Sequence, residues 1–284
     1  MKPIEHLIQL TDGRNIAVLE QGPADGKPVI YLHGAPGSYR DHSDFDELYR
    51  QQGLRMVSVN RPGTGSSTAS GGWGALSFAA DLRQVLDQLS ISKATVIGFS
   101  AGGLYGCAFA HQYPERVERL ALLSSVGPFD LPQLGNKRTE ATKAFHDTAK
   151  ENPAALLEQL SAITTAEALL ALVNSLISSE DKKVFALPEV ASQMRLAYAD
   201  VLAQGLDKLI KEIAIINSPW GFSPAEIMVD TRLWHGTADI NVPVECSEYL
   251  AEQIPAATAS YVEGGGHYFS FEQWPELLQE ITSA

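Results

Sequence analysis

The sequence predicts an α/β fold: a mostly parallel sheet with helices on both faces and an all-helical segment inserted between two late strands. Three observations lead to this prediction. Short β-branched runs alternate with amphipathic helical periods along most of the chain. One such run, "KATVIGF", ends in a turn of small residues around Ser100. Residues 128–222 contain helical patterns and no convincing strand.

The strand candidates recur along the chain with helical periods between them. The N-terminal stretch alternates apolar and polar residues on either side of Asp12-Gly13, which predicts a hairpin of two strands. Further strands are predicted at residues 28–33, 54–60, 94–99, 117–125, 231–236 and 257–263. Helical periods lie at residues 41–52, 77–90, 243–254 and 271–282 and directly after Ser100. Strands joined through helices run parallel, so the helices cover the two faces of the sheet.

Residues 128–222 interrupt this alternation. Segments such as "PAALLEQLSAI" and "TAEALLALVNSLI" have the apolar spacing of amphipathic helices. We therefore predict a core formed by residues 1–127 and 223–284, and a separate helical cap, or lid, formed by residues 128–222. Helices inserted at this point emerge above the carboxyl edge of the sheet, so we expect the cap to cover Ser100.

Composition excludes several classes of partner. The chain has 284 residues, of which 45% are hydrophobic and 19% charged, as in a globular protein. A net charge of -13 would repel a polyanion, so no nucleic-acid partner is expected. No apolar run is long enough for a bilayer span or a signal peptide, so no membrane association is expected. The two cysteines cannot form a disulfide framework, which favours a cytoplasmic location.

The turn "GFSAGG" (98–103) has the G-x-S-x-G spacing of a nucleophile elbow. A strand that passes at once into a helix must reverse sharply, and side chains at Gly98 and Gly102 would collide in that reversal. The turn lifts the hydroxyl of Ser100 clear of the backbone. This predicts that Ser100 is a nucleophile.

A serine nucleophile needs a base to take its proton and an acid to orient the base. After an elbow of this kind the expected chain order is serine, acid, histidine. Asp239 follows one strand candidate and His267 lies in a glycine-rich loop after the next, so both fall at the same sheet edge as Ser100. Asp130 is a rival for the acid. We interpret His33 and His235 as hydrogen-bonded structural residues, and the remaining histidines, His6, His42, His111 and His146, as lying in polar, surface-like contexts.

An oxyanion needs two backbone N–H donors. The first is expected to be the amide of Ala101, directly after the nucleophile. The loop "HGAPGS" (33–38) follows an early strand and contains glycines that allow unusual backbone dihedrals. Ala35 in this loop is the candidate for the second donor.

Five segments together resemble the α/β-hydrolase superfamily: "HGAPGS" (33–38), "NRPGTGSS" (60–67), "GFSAGG" (98–103), "WHGTADINVP" (234–243) and "GGGHY" (264–268). They occur in the family's order from position 33 to 268. Many relatives carry aspartate where this chain has Asn60. A serine at position 100 argues against the haloalkane dehalogenase and epoxide hydrolase branches, which attack with aspartate.

The resemblance implies a capped serine hydrolase whose small-molecule substrate is an ester. The same triad also serves peptidases, C–C hydrolases and cofactor-free perhydrolases, and similar proteins act as slow-turnover receptors for small ligands. No phosphate-binding loop, dinucleotide fingerprint or metal-ligand motif is present, so no cofactor or metal is expected. The sequence leaves the substrate and the oligomeric state open.

Overall fold

The computed structural model describes residues 3–283, and within them eight strands form one sheet in the order β1-β2-β4-β3-β5-β6-β7-β8. The strands are β1 (Ile4–Gln9), β2 (Asn15–Gln21), β3 (Lys27–Leu32), β4 (Leu54–Val59), β5 (Ala94–Phe99), β6 (Val117–Leu123), β7 (Thr231–Gly236) and β8 (Ala257–Val262). β1 pairs antiparallel with β2 and β2 with β4, and all other neighbours are parallel. The predicted core limits at residues 1 and 284 lie outside the described residues.

The α-helices lie in the segments between strands and after β8. They are α1 (Asp46–Gln51), α2 (Ala75–Gln88), α3 (Gly102–Gln112), α4 (Pro132–Gly135), α5 (Glu140–Glu151), α6 (Pro153–Gln159), α7 (Ala166–Leu176), α8 (Ser179–Phe185), α9 (Pro188–Leu202), α10 (Leu206–Ile216), α11 (Glu245–Gln253), α12 (Phe269–Glu272) and α13 (Trp274–Thr282). None of them, within residues 3–283, combines the length and apolar composition needed to cross a bilayer. Helices α4 to α10 all lie between β6 and β7.

Burial explains why the central strands can be predicted from the sequence. Every residue of β5 is buried, so its sequence "ATVIGF" is a continuous apolar run rather than an alternating one. The outer strand β1 is exposed at most positions, and its sequence "IEHLIQ" mixes polar and apolar residues. The α/β fold with its mostly parallel sheet is therefore confirmed.

Several predicted element boundaries differ from the observed ones, and three of these differences have a clear local reason. The strand predicted at residues 117–125 ends at Leu123 because Ser124 has a φ of 43°, in the left-handed region. The helix predicted at residues 41–52 begins only at Asp46, after a series of turns. The helix predicted at residues 271–282 is two helices, and the second carries Pro275 in its first turn, where a missing N–H is tolerated.

The topology brings the functional loops together. β3, β5, β7 and β8 are parallel neighbours or near neighbours, so the loops after them leave the sheet at one edge. These loops contain Ala35, Ser100, Asp239 and His267. The segment after β6, at the same edge, leads into the inserted helices, which therefore lie over these residues.

Candidate active site

The turn after β5 has the geometry that its small residues require. Ser100 adopts a φ of 54°, which a non-glycine residue accepts only under constraint. A Cβ on Gly98 would lie 2.6 Å from the carbonyl oxygen of Gly102. A Cβ on Gly102 would overlap the carbonyl oxygen of Leu32. Gly98 is therefore necessary for β5 to turn directly into α3, whereas Gly102 is necessary for the start of α3 to approach the end of β3.

The structure brings Ser100, His267 and Asp239 into one hydrogen-bonded chain. His267 Nε2 lies 3.0 Å from Ser100 Oγ, and His267 Nδ1 lies 2.7 Å from Asp239 Oδ2. Ser100 is 6% exposed and His267 is 3% exposed. A nucleophile, a base and an orienting carboxylate are thus within reach of one another across 167 residues of sequence.

Both oxygens of Asp239 have fixed partners. The N–H groups of Asn241 and Val242 donate to Oδ1 at 2.8 and 2.9 Å, while Oδ2 faces His267. His235 Nε2 also lies 3.1 Å from Oδ2. Nε2 of His235 lies 3.0 Å from the Val242 carbonyl oxygen as well, an acceptor that requires the proton on that nitrogen. His235 is therefore hydrogen-bonded, as predicted, and it also contacts the candidate acid.

The electrostatics of the pair favour an ionised carboxylate and a basic imidazole. Burial raises the pKa of Asp239, but the charge of His267 and hydrogen bonds from His235 and His267 outweigh it and hold that pKa below its usual range. Burial lowers the pKa of His267, but the charge and hydrogen bond of Asp239, with a contribution from Asp181, outweigh it and raise that pKa above its ordinary value. The imidazole is thus disposed to accept a proton.

The main chain of His267 is held on both sides by side chains that sequence reasoning missed. The N–H groups of His267 and Tyr268 donate to Asp181 Oδ2 and Oδ1 at 3.0 and 2.7 Å. Ser124 Oγ donates to the carbonyl oxygen of His267 at 2.9 Å. The only sequence signal for Asp181 is the S-x-x-D pattern of residues 178–181, which marks a helix start and not a contact with residue 267.

The two candidate oxyanion donors face the same space. Ala35 and Ala101 both line a cavity that also contains Ser100 and His267. In residues 3–283 the N–H groups of Ala35 and Ala101 have no hydrogen-bond partner within the protein. Two unpaired amides beside a serine hydroxyl are the arrangement that a developing oxyanion requires.

A buried ion pair supports the loop that carries Ala35. Arg61 is fully buried, and its terminal nitrogens donate to the carbonyl oxygens of His33 and Gly34, each at 2.7 Å. Its Nε lies 2.5 Å from Glu212 Oε1 on α10, and its guanidinium stacks over the ring of Tyr105 at 4.7 Å. An inserted helix is thereby tied to the candidate oxyanion loop.

The cavity over Ser100 has a volume of about 290 Å³ and a mainly apolar wall. Inserted helices supply most of this wall, including Phe145, Leu160, Leu169 and Ile213. Among the described residues that line it there is no Asp, Glu, Lys or Arg. The cavity therefore favours a small, uncharged ligand.

Several sequence interpretations can be checked against these positions. Asp130 is exposed, and the carboxylate on His267 is that of Asp239. His33 Nδ1 lies 2.8 Å from the Gly34 carbonyl oxygen, a structural hydrogen bond as predicted. The surface assignment of His42 is wrong, because its ring stacks on Trp274 at 3.9 Å and is buried. His146 lines the cavity rather than the outer surface.

Comparison with known proteins gives a family and several relatives. A family model described as "alpha/beta hydrolase fold" matches residues 27–273. A Bacillus subtilis (strain 168) protein with the provisional name 2-succinyl-6-hydroxy-2,4-cyclohexadiene-1-carboxylate synthase is 26% identical over 97% of this chain and 96% of its own. Proline iminopeptidase of Neisseria meningitidis serogroup A / serotype 4A is 31% identical over 98% of this chain and 93% of its own. A solved esterase from Exiguobacterium antarcticum has the same fold, with a TM-score of 0.73 and 23% identity over 99% of this chain and 100% of its own.

Proposed function

Because the chain belongs to the α/β-hydrolase family, we propose that it is a serine hydrolase that cleaves a small, uncharged, largely apolar ester through an acyl-enzyme. One observation carries the proposal: the Ser100–His267–Asp239 chain opens into an apolar cavity whose described lining includes no Asp, Glu, Lys or Arg. Ala35 and Ala101, whose amides have no hydrogen-bond partner within residues 3–283, line the same cavity.

Acylation follows from the hydrogen-bond chain. Ser100 Oγ attacks the acyl carbon while its proton passes to His267 Nε2, 3.0 Å away. Asp239 holds Nδ1–H of the ring and stabilises the imidazolium that forms. The amides of Ala35 and Ala101 donate to the developing oxyanion. The imidazolium then protonates the leaving alcohol oxygen, and the C–O bond of the ester breaks.

Deacylation repeats these steps with water as the nucleophile. His267 takes a proton from the water as its oxygen attacks the acyl carbon of the acyl-enzyme. Collapse of the second tetrahedral intermediate breaks the bond to Ser100 Oγ, and His267 returns the proton to that oxygen. The products are one carboxylic acid and one alcohol, and no further reactant is consumed.

The cavity wall supports the choice of substrate class. An aminopeptidase must bind a substrate ammonium group, and a carboxylate-bearing substrate needs a cationic partner. The described lining residues include no Asp or Glu to bind an ammonium group and no Lys or Arg to bind a carboxylate. An uncharged ester therefore fits the cavity better than either charged substrate. We propose that residues 128–222 form the cap that supplies this wall. We also propose a reducing, cytoplasmic environment, because Cys107 and Cys246 are buried and unpaired.

The test is removal of the proposed nucleophile. Ser100→Ala should abolish hydrolysis of p-nitrophenyl butyrate and covalent labelling by a fluorophosphonate probe, while the circular dichroism spectrum stays that of the native protein. Ser175→Ala, a change at an exposed serine on α7, is the matched control and should leave both readouts intact. Full labelling of the Ser100→Ala variant would show that another residue is the nucleophile.

A further inference from the structure

Asp181 is a buried carboxylate of the inserted helices that contacts the candidate base. It lies in the first turn of α8 and is fully buried. Its two oxygens accept the N–H groups of His267 and Tyr268, 86 and 87 residues further along the chain. Ser178 Oγ donates to Oδ2 at 2.7 Å and accepts the N–H of Asp181 at 3.1 Å. Asp181 thus bridges an inserted helix and the loop after β8.

Hydrogen-bond donors surround the carboxylate of Asp181. Both oxygens face backbone amides, which can only donate, and Oδ2 also accepts from the Ser178 hydroxyl. Within residues 3–283 no Lys, Arg or His nitrogen forms an ion pair with Asp181. Its charge is therefore compensated by amide and hydroxyl dipoles alone. Such a charge acts over a short distance with little screening, because the site is buried.

The loop is shaped around this carboxylate. A Cβ on Gly266 would overlap the oxygens of Asp181, so the residue before His267 is one without a side chain. On the other side, Ser124 fixes the carbonyl of His267. The imidazole is consequently attached to a backbone that is held from the inserted helices and from the sheet edge at once.

We propose that Asp181 is a positioning residue for the base: it fixes the main chain of His267 and supplies, with Asp239, a second negative charge that stabilises the imidazolium. This inference rests on the proposed function of His267. Asp181 touches neither substrate nor the reacting atoms, and acts only through His267. It also makes the active site dependent on α8, a helix of the inserted segment.

The groups that face His267 determine the direction in which the loss of Asp181 would shift the pKa of its imidazole. Asp239 lies at Nδ1, Ser100 at Nε2, Asp181 at the main-chain N–H, and the rings of Phe99 and Tyr268 pack at 5.1 and 5.0 Å. Burial raises the pKa of Tyr268, so its phenol is neutral. Asp239 and Asp181 are thus the anions around the ring, and both raise the pKa of His267. Removing the charge of Asp181 must lower that pKa.

The experiment is Asp181→Asn in the full-length chain, with the pKa of His267 read by NMR titration of ¹⁵N-labelled histidines. The His267 signal is assigned by its loss in His267→Gln. The amide side chain can accept only one of the two N–H groups, so kcat/KM should fall about 10- to 100-fold on a p-nitrophenyl ester. The acid limb of the pH profile should move to lower pH together with the NMR pKa. A merely structural residue would lower activity without moving either midpoint.

Two further variants keep the proposal open to refutation. Glu180→Gln removes a neighbouring, partly exposed charge and should leave the His267 pKa and the rate unchanged. Ser178→Ala keeps the charge of Asp181 but loosens its side chain, so kcat should fall a few-fold with the midpoint unmoved. If Asp181→Asn folds and the pKa of His267 is unchanged, the proposal is wrong. If Asp181→Asn does not fold, a wild-type kcat in Ser178→Ala overturns the proposal instead. The titration needs no turnover, so it decides the question even if the wild-type protein hydrolyses no ester.

Discussion

Replacing Glu212 by glutamine should destabilise the protein strongly, because it leaves a buried arginine without its counter-charge. Arg61 is fully buried, the Glu212 side chain is 6% exposed, and Nε and Oε1 are 2.5 Å apart. Glutamine has nearly the same shape as glutamate, so the substitution removes the charge with little change in packing. The remaining partners of Arg61 are two carbonyl oxygens, those of His33 and Gly34, the ring nitrogen Nδ1 of His33 and the ring of Tyr105, and none of them supplies a negative charge.

The size of the effect follows from this burial. Breaking one partner of a buried ion pair costs about 3–5 kcal/mol. For a chain of this size each kcal/mol lowers the melting temperature by roughly 2–4 °C, so a fall of about 6 °C or more is expected. The change should also reduce kcat, because Arg61 holds the carbonyl oxygens at the start of the loop that carries Ala35.

Urea unfolding followed by tryptophan fluorescence measures the change in unfolding free energy. Glu118→Gln is the matched control, since Glu118 pairs with Lys93 at 3.0 Å but both side chains are about half exposed. Water screens that pair, and its loss should leave the unfolding midpoint nearly unchanged. The double variant Arg61→Met with Glu212→Leu removes both charges and should be more stable than Glu212→Gln alone. If Glu212→Gln is as stable as Glu118→Gln, the carbonyl oxygens suffice for Arg61 and the reasoning is wrong.

Two more predictions concern the proposed reaction. Asp239→Asn should lower kcat by up to about 10⁴-fold, because the acid sets the tautomer and orientation of the base. Asp130→Asn should change kcat little. If the measured kcat falls in Asp130→Asn and not in Asp239→Asn, the acid is Asp130. On p-nitrophenyl esters of increasing acyl length, kcat/KM should rise up to about fourfold per methylene, because each buried methylene contributes about 0.8 kcal/mol. The rise should stop when the acyl chain fills the cavity of about 290 Å³. A flat series would show that the apolar wall does not hold the acyl chain.

The fold, and the contact among the three candidate site residues, could be predicted from local signals and from chain order. The continuous apolar run of β5 predicts a buried strand, and the glycines around Ser100 predict a sharp turn after it. Chain order places Asp239 and His267 at the same sheet edge as Ser100. Local signals also explain the errors. The polar neighbours of His42 suggested a surface position, while the ring packs on Trp274, which is far away in sequence.

The supporting residues were not predictable, because their partners lie far away in the sequence. Asp181 in "SSED" and Glu212 in "LIKEIAII" look like ordinary charges on helix surfaces. No periodicity distinguishes a carboxylate that faces solvent from one that faces His267 or Arg61. The distinction depends on how the inserted helices are placed over the sheet edge, and that placement is tertiary.

These two carboxylates connect inserted helices to the candidate site: α10 also lines the cavity, whereas α8 contributes no residue to its wall within the described lining. Glu212 on α10 fixes Arg61, which holds the loop with the candidate oxyanion donor Ala35. Asp181 on α8 fixes the main chain of His267. A displacement of α8 and α10 would therefore disturb the base and the oxyanion site together, while the turn around Ser100, built from β5 and α3, would keep its shape. Because α10 both lines the cavity and fixes Arg61, the shape of the cavity and the position of the loop that carries Ala35 are physically linked.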